Sequence, residues 1–258
     1  MDSCNLSFAL LMPTLNEVEG MKAVWPKIDR SLFKEIIVVD GGSTDGTVEY
    51  CREQGLTVLR QPKTMVPDAE GHGVKNMKSD AVIIFTPDGN SLPEALPALC
   101  DKLCEGYDMV IASRYLDGAK SYDDDFFTAI GNWFFTGLVN LLFRSRFTDV
   151  LVAMRAYRLD AIYRMGLVGL EEESWLRRKY PYISAWEPES CIRAARLRLK
   201  TADIPADEPK RIGGTRKMSI IPCGTGVLLE ILYTFLFYHP KRLNAACVPP
   251  NGHSGGPQ

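Results

Sequence analysis

The first half of the chain alternates short apolar runs with segments of helical periodicity, and this alternation most constrains the fold. The predicted strands are residues 8–12, 36–39, 57–59, 81–85 and 109–112. Helical patterns lie between them at residues 18–29, 44–54, 71–77 and 93–104. Strands that alternate with helices are typical of βαβ units, so we predict an α/β domain with a mainly parallel sheet flanked by helices.

Three of these predicted strands end in polar or glycine-rich segments, namely PTLNE, DGGSTDGT and TPDGN. Ligands bind beyond the carboxyl ends of strands in open α/β sheets, so the three segments predict one shared crevice. Gly42 would let the backbone approach a phosphate there. The GxGxxG spacing of a dinucleotide fold is absent from the sequence, which argues against a Rossmann dehydrogenase.

Composition excludes several classes of protein. The 258 residues are 46% hydrophobic and 24% charged, as in ordinary globular proteins. A net charge of -2 provides no global basic field, so nucleic acid is not an expected partner. The seven cysteines include no CxxC pair, which predicts reduced thiols in the cytosol, and we expect no export signal.

The PDGN segment has two interpretations. Proline, aspartate, glycine and asparagine in succession favour a β-turn. The carboxylate of Asp88 and the amide oxygen of Asn90 are also hard oxygen ligands, suited to Mg²⁺ or Mn²⁺. The segment taken alone favours the turn, and the metal interpretation depends on the rest of the chain.

The motifs MPTLNE, VVDGGSTDGT, PDGN, ASRY and TDVLVAMRAYR together resemble those of family-2 glycosyltransferases of GT-A fold. The resemblance extends from about residue 10 to residue 218. It is greatest to dolichol-phosphate mannose and polyprenyl-phosphate glucose synthases. It implies inverting transfer of a hexose from a nucleotide sugar, of the GDP-mannose or UDP-glucose type, to a polyprenyl phosphate.

The resemblance also implies roles for particular residues. The residues implied to hold the donor nucleotide are Pro13, Thr14, Asn16, Glu17, Asp40, Asp45 and Lys75. The implied metal ligands are Asp88, Asn90, which replaces the second acid of the family's DxD, and Glu187. Arg114 and Arg155 would approach phosphates, and Arg211 and Lys217 match a basic motif near the acceptor.

Two of these residues keep a structural alternative. Arg155 lies within the apolar run LVAMRAY, where an unpaired charge would be costly, so we expect Asp149 or a ligand phosphate as its partner. Glu187 and Glu189 could equally lie on a solvated face or at a helix N-terminus. Arg193, Arg196, Arg198 and Lys200 are expected to lie in water.

Two strongly apolar stretches suggest contact with a membrane. Residues 220–238 are interrupted by Pro222 and Glu230, so an interfacial helix is favoured over a spanning one. Residues 126–143 could contact a membrane, pack in the protein core or form a dimer interface. In the last case the protein would be a homo-oligomer. The predicted units are a catalytic domain at 1–218, an interfacial helix or short membrane-embedded helix at 219–243 and a disordered tail at 244–258. We expect the protein to lie on the cytoplasmic side of a membrane, as a peripheral or monotopic protein.

Other functions stay open at this point. A transferase acting on a soluble acceptor would need a base, for which the acidic run 123–125 is a candidate, although a solvated loop is the simpler interpretation. A nucleotidyltransferase is disfavoured because the sequence has no early glycine-rich triphosphate loop. A non-catalytic membrane adaptor that binds nucleotide sugars is a further alternative, and Asn90 is its main support.

Overall fold

The structure is a computed structural model that describes residues 4–62, 66–170, 185–213 and 220–237. The strands are β1 (Phe8–Thr14), β2 (Glu35–Asp40), β3 (Thr57–Arg60), β4 (Ala81–Ile84), β5 (Met109–Ser113), β6 (Arg155–Arg158) and β7 (Thr201–Pro205). The helices are α1 (Val18–Val24), α2 (Thr47–Glu53), α3 (Val66–Asn76), α4 (Leu96–Cys104), α5 (Phe126–Phe143), α6 (Leu159–Met165), α7 (Trp186–Leu197) and α8 (Ile220–Phe237). Lys217 and the predicted tail 244–258 lie outside the described residues.

All seven strands form one sheet in the order β3-β2-β1-β4-β6-β5-β7. β1 pairs in parallel with β2 and β4, β2 with β3, and β5 with β7. Only β6 is reversed, and it runs antiparallel to β4 and β5. The predicted mainly parallel α/β sheet is therefore confirmed, and the carboxyl ends of β1, β2 and β4 meet at one edge.

The sequence prediction missed β6 and β7 and misplaced two helix ends by five residues each. α1 ends at Val24 because Pro26 cannot continue the helical hydrogen bonds, and the chain turns through a short 3-10 segment at Trp25–Lys27. α3 begins at Val66, five residues before the predicted start. These errors do not affect the crevice, because β1, β2 and β4 end within two residues of their predicted ends.

Burial explains the stability of the central sheet. Every residue of β4 and β5 is buried, as expected for strands covered by helices on both faces.

A disulfide joins Cys4 to Cys104, so the prediction that all thiols are reduced is wrong for this pair. Cys100 of α4 is buried, whereas Cys104 lies on the exposed end of that helix.

Candidate active site

Hydrogen bonds join the loops that follow β1 and β2. The backbone N–H of Asn16 donates to Ser43 Oγ at 2.8 Å, and the Thr44 N–H donates to Asn16 Oδ1 at 2.8 Å. Asn16 has a φ of 55°, a left-handed conformation that asparagine tolerates better than most residues. The Glu17 N–H donates to Thr47 Oγ1 at 2.9 Å. The two predicted nucleotide-binding loops therefore form one wall.

The two aspartates of the DGGSTDGT segment shape this wall. Buried Asp40 accepts hydrogen bonds from the N–H groups of Gly42 at 2.8 Å and Ser43 at 3.0 Å. Gly42 has a φ of 104°, which explains the glycine at this turn. Asp45 accepts from the Val18 N–H at 3.1 Å, so it ties α1 to the β2–α2 loop.

Asp45 also accepts from the Thr47 N–H at 3.0 Å at the start of α2. These bonds hold its carboxylate in the charged form and lower its pKa, although partial burial opposes that shift. Thr14, at the end of β1, has a buried hydroxyl oxygen with no hydrogen-bond partner among the described residues. A bound molecule with a donor or acceptor at this point would satisfy that hydroxyl.

The PDGN turn lies at the end of β4 and is held by residues distant in sequence. The guanidinium of Arg211 contacts the Asp88 carboxylate, with Nη2 at 3.0 Å from Oδ2. The Ile212 N–H donates to the backbone oxygen of Asp88 at 2.7 Å. The segment 211–213 therefore lies directly over the turn.

Two glycines make this close packing feasible. A Cβ atom on Gly20 of α1 would lie 2.2 Å from the backbone oxygen of Pro87, closer than atoms can approach. A Cβ atom on Gly89 would lie 2.7 Å from Ile212 Cγ1, and Gly89 has a φ of 90°. Side chains at either position would force α1 or the 211–213 segment away from the turn.

Asn90 and Asp123 complete the polar group at this turn. Asn90 Nδ2 donates to Asp123 Oδ2 at 3.2 Å, and the Arg211 N–H donates to Asp123 Oδ1 at 3.4 Å. The other amide atom, Asn90 Oδ1, is buried and has no hydrogen-bond partner in the part of the chain described here. A buried carbonyl oxygen without a partner is a position where a bound cation would be favourable.

This donor set fits a divalent cation. Asp88, Asn90 and Asp123 offer two carboxylates and an amide oxygen, the hard ligands that Mg²⁺ and Mn²⁺ prefer. The sequence prediction regarded Asp123 as part of a solvated loop, and its contact with Asn90 corrects that. Across the described ranges, no group of three histidine, cysteine, aspartate or glutamate side chains has metal-binding geometry, so Glu187 does not form such a group with two other acids.

The neighbours of Asp123 in the acidic run also have partners. Asp124 contacts the guanidinium of Arg114 at 3.5 Å and accepts a short hydrogen bond from the hydroxyl of Tyr115. Asp125 caps α5 by accepting from the Thr128 N–H at 2.8 Å. The run is therefore a structural junction rather than a free acidic loop.

The guanidinium of Arg114 is surrounded by carboxylates. It contacts Asp149 through Nε at 2.7 Å and Nη2 at 3.0 Å, and Glu208 through Nη1 at 3.1 Å. These acids raise the pKa of Arg114 well above its ordinary value even though burial opposes its charge. Arg114 therefore contacts carboxylates in the structure, whereas the sequence analysis expected it to approach a phosphate. Asp149, which was one of the two partners expected for Arg155, pairs with Arg114 instead.

Arg155 is almost wholly buried at the carboxyl end of the central strands, where it pairs with Ile84 of β4. Its guanidinium donates to the backbone oxygens of Val152 at 2.8 Å and Glu187 at 2.7 Å, and to Ser190 Oγ at 3.0 Å. Arg155 Nη2 has no hydrogen-bond partner among the described residues. Arg155 therefore positions the start of α7, and one of its donors is left over.

Two glutamates lie close enough to Arg155 to interact with its charge. Burial, followed by repulsion from Glu187, raises the pKa of Glu70 well above its ordinary value, and Arg155 opposes this. Burial also raises the pKa of Glu187, again against the attraction of Arg155. The structure therefore brings Glu187 to Arg155, and contact between Glu187 and the PDGN turn stays a prediction.

Two sequence predictions about charged residues need correction. Lys75 is exposed near the end of α3, three residues before Lys78, whose N–H donates to Glu35 Oε1 at 2.6 Å. Because Glu35 begins β2, Lys75 lies at the amino edge of the sheet, opposite the crevice, and the predicted role at the nucleotide is wrong. Arg193 is buried rather than solvated and pairs with buried Glu189 at 2.5 Å.

α5 exposes apolar side chains and buries polar ones. The exposed fractions are 72% for Phe127, 77% for Trp133 and 77% for Leu141. The buried face contains Asn132 and Thr136, of which Thr136 Oγ1 accepts from the Val150 N–H at 3.2 Å. The buried face also contains Val139 and Phe143, so α5 has apolar side chains on both faces, unlike a helix on a water-soluble surface.

α8 packs against α5 and α7 and extends the apolar surface. Its exposed side chains include Leu236 and Phe237, while Thr234 Oγ1 donates to Glu189 of α7 at 2.8 Å. By length and composition, α5 could cross a membrane, with a mean hydropathy of 1.4, whereas Pro222–Phe237 is a shorter apolar helix.

Comparison with known proteins places these features in a family. The family model described as Glycosyl transferase family 2 matches residues 9–166, more than half of the chain. Glycosyltransferase AglJ of Haloferax volcanii is 27% identical over 86% of this chain and 70% of its own length. A dolichyl-phosphate hexose transferase of the same organism is 28% identical over 81% of this chain and 85% of its own length.

The fold is similar to that of solved enzymes. Glucosyl-3-phosphoglycerate synthase of Mycobacterium tuberculosis, crystallised with Mn²⁺, UDP-glucose and phosphoglyceric acid, superimposes with a TM-score of 0.61. It is 16% identical, and the match covers 91% of this chain and 81% of that chain. At this identity the likeness establishes the fold of the chain.

Proposed function

Because the chain belongs to glycosyltransferase family 2, we propose that it transfers a hexose from a nucleotide sugar to a polyprenyl phosphate at a membrane surface. The observation that most supports this proposal is the contact between Arg211 and Asp88 at 3.0 Å. Asp88 belongs to the turn suited to the donor's cation, and Arg211 belongs to the basic segment expected at the acceptor. Donor and acceptor phosphates bound at these two residues would lie side by side.

The donor nucleotide would lie in the crevice beyond β1, β2 and β4. Thr14, Asn16 and Asp40 line the wall formed by the first two loops and are proposed to border the nucleoside. Pro13, Glu17, Gly42 and Asp45 support the same wall. Asp88 and Asn90, joined by Asp123, would hold Mg²⁺ or Mn²⁺ beside the diphosphate.

A divalent cation at this turn would neutralise the negative charge that develops on the departing nucleoside diphosphate. In the proposed reaction, the bond from the sugar C1 to the diphosphate oxygen breaks, and its electron pair leaves with the nucleotide. An oxygen of the acceptor phosphate forms the new bond to C1 from the opposite face, which inverts the anomeric configuration. That oxygen is already anionic near neutral pH, so no side chain must remove a proton.

Arginines would orient the acceptor phosphate and stabilise the site. Arg211 is proposed to turn from Asp88 toward a phosphate once a cation occupies the turn, and Lys217 is proposed to act with it. The leftover Nη2 donor of Arg155 is proposed to face the donor phosphates. Arg114 is proposed to fix the loop of Asp123 and Asp124 rather than to bind phosphate directly.

The apolar face of α5 is the main support for a lipid acceptor. A helix with exposed phenylalanine, tryptophan and leucine would bury this surface in the headgroup layer of a bilayer. α8 would lie in the same layer, as an interfacial helix. The related dolichyl-phosphate hexose transferase is named for a lipid-phosphate acceptor, which agrees with this arrangement. A cytoplasmic orientation and self-association stay predictions, and the Cys4–Cys104 disulfide would favour an oxidising compartment instead.

The transfer reaction can be tested with purified protein and a short polyprenyl phosphate. We expect GDP-mannose or UDP-glucose to release nucleoside diphosphate and to yield a lipid-linked hexose by mass spectrometry in Mg²⁺ or Mn²⁺ but not in EDTA. Asp88→Asn should reduce the rate about 100-fold or more, whereas the exposed control Asp101→Asn should not. Absence of product across a panel of donors would contradict the proposal.

The membrane contact can be tested separately by vesicle flotation. Replacing Phe127 and Leu141 with serine removes two exposed apolar groups, each contributing about 1.5–3 kcal/mol when buried in lipid. We expect a loss of vesicle binding of about 100-fold or more, with unchanged circular dichroism. Equal flotation of the variant and the wild type would show that α5 does not enter the bilayer.

A further inference from the structure

We propose that a cleft beside the edge strand β7 is a second anion site, which binds a phosphate group presented by a lipid headgroup or by a soluble molecule. The cleft has a volume of about 600 Å³ and is lined by three arginines, Arg144, Arg146 and Arg198. Ser145 and Thr148 also line it. Guanidinium and hydroxyl donors around one cavity are the groups that recognise phosphate oxygens.

This cleft is separate from the proposed transfer site. Its walls include Thr201, Ala202 and Asp203 of β7, the last strand of the sheet. β7 is three strand positions from β4, which corresponds to about 14 Å at the usual strand spacing. The first of these residues, Thr201, pairs with Met109 at the start of β5, whereas the transfer site follows the carboxyl end of β4.

Among the described residues that line the cleft, three arginines outnumber the one acid, Asp203. All three arginines are exposed, and within the described ranges none of them forms an ion pair. The acid in the wall, Asp203, instead accepts from the Thr148 N–H at 2.7 Å and from its hydroxyl at 2.5 Å. Burial also raises the pKa of Asp203, against these hydrogen bonds. The cleft is therefore a local region of positive charge in a chain whose net charge is -2.

The backbone at two of the arginines gives independent support. Arg144 and Arg198 follow the ends of α5 and α7 with φ values of 55° and 53°, a left-handed conformation in which helices usually place glycine. A cation at a helix C-terminus interacts favourably with the helix dipole, and this explains one basic residue at each end. It does not explain why both strained arginines and Arg146 line the same cavity.

The surroundings favour a lipid headgroup as the source of the phosphate. Leu141, three residues before Arg144, is among the most exposed apolar side chains of α5. Arg196, two residues before Arg198, contacts the rings of Phe143 and Phe235 and so joins α7 to both apolar helices. Arginines beside a helix that lies in the headgroup layer would be level with lipid phosphates.

The test compares a cleft variant with a matched control in the absence of any sugar donor. The cleft variant combines Arg144→Gly, Arg146→Gln and Arg198→Gly, in which glycine relieves the left-handed backbone. The control removes the same charge through Lys27→Gln, Arg52→Gln and Lys78→Gln, all exposed elsewhere. Binding is measured to phosphatidylcholine vesicles with and without 20% phosphatidic acid, and to soluble inorganic pyrophosphate by calorimetry.

We expect the cleft variant to bind phosphatidic acid vesicles about 100-fold more weakly than the wild type, since each basic residue at an anionic surface contributes about fivefold. The control should change much less, and the melting temperature of the cleft variant should not fall. Loss of pyrophosphate binding in the cleft variant, without an effect on vesicles, would identify a soluble phosphate as the ligand. Equal losses in the cleft and control variants, or no binding of either probe by the wild type, would overturn the proposal.

Discussion

Replacing Asn90 with aspartate would restore the second acid of a DxD motif and test the polar group at the PDGN turn. In the structure, Asn90 Nδ2 donates to Asp123 Oδ2 at 3.2 Å. Asn90→Asp would replace this hydrogen bond with two facing carboxylates. Two unit charges at this distance repel by about 5 kcal/mol at an effective dielectric constant of about 20.

Solvent and protonation reduce that repulsion. Asp123 is half-buried, so screening lowers the cost to about 2–3 kcal/mol. The new carboxyl can also avoid the repulsion by taking up a proton. Protonation costs about 1.4 kcal/mol for each pH unit above the ordinary carboxyl pKa of about 3.9, so the destabilisation cannot exceed that amount. Without metal, the melting temperature should therefore fall by roughly 5–10 °C at pH 7.5 and by less at pH 5.

A divalent cation should reverse this fall in melting temperature, because its charge would offset the repulsion between the new carboxylate at position 90 and Asp123. Thermal melts in EDTA and in Mn²⁺ are the assay, and Mn²⁺ should raise the melting temperature of Asn90→Asp by more than that of the wild type. Asn5→Asp, an exposed change of the same kind, should have little effect. If Asn90→Asp melted within about 1 °C of the wild type in EDTA and did not respond to Mn²⁺, the reasoning would be refuted.

Three further predictions concern stability and reactivity. Cys4→Ser removes a cross-link that spans 100 residues and should lower the free energy of unfolding in urea by about 2–4 kcal/mol, a difference that a reductant should abolish. Gly20→Ala places a Cβ atom 2.2 Å from the Pro87 oxygen, so it should destabilise the protein by about 1–3 kcal/mol and weaken Mn²⁺ binding; unchanged melting would be inconsistent with that contact. Burial raises the pKa of the Cys100 thiol to about 12, so iodoacetamide mapping at pH 8 should label Cys223 and leave Cys100 unmodified until the protein unfolds.

Local patterns were sufficient to predict the strands and loops that form the crevice. β1, β2 and β4 are apolar runs followed by turn residues, and both signals are local. β6 was missed because it has only four residues and begins and ends with an arginine. The cost of burying Arg155 is offset by partners on α7. β7 was missed because it is short, ends in Pro205 and is defined by its pairing with β5.

Contacts between distant residues could not be predicted in the same way. Asp123 contacts Asn90 across 33 residues, and Cys4 reaches Cys104 across 100 residues. Both contacts depend on how the elements pack, which no local pattern specifies. Lys75 was misplaced for a related reason, since the direction of α3 takes the end of that helix to the opposite edge of the sheet.

The most direct test of the proposed transfer site is the position of Mn²⁺ in crystals soaked with Mn²⁺ and a nucleoside diphosphate. We predict one anomalous-scattering peak within about 2.5 Å of the Asp88 carboxylate and of Asn90 Oδ1, bridged to the diphosphate, with the nucleoside against Asp40. A peak at another place in the molecule, or bound nucleotide outside the crevice beyond β1, β2 and β4, would contradict the proposal.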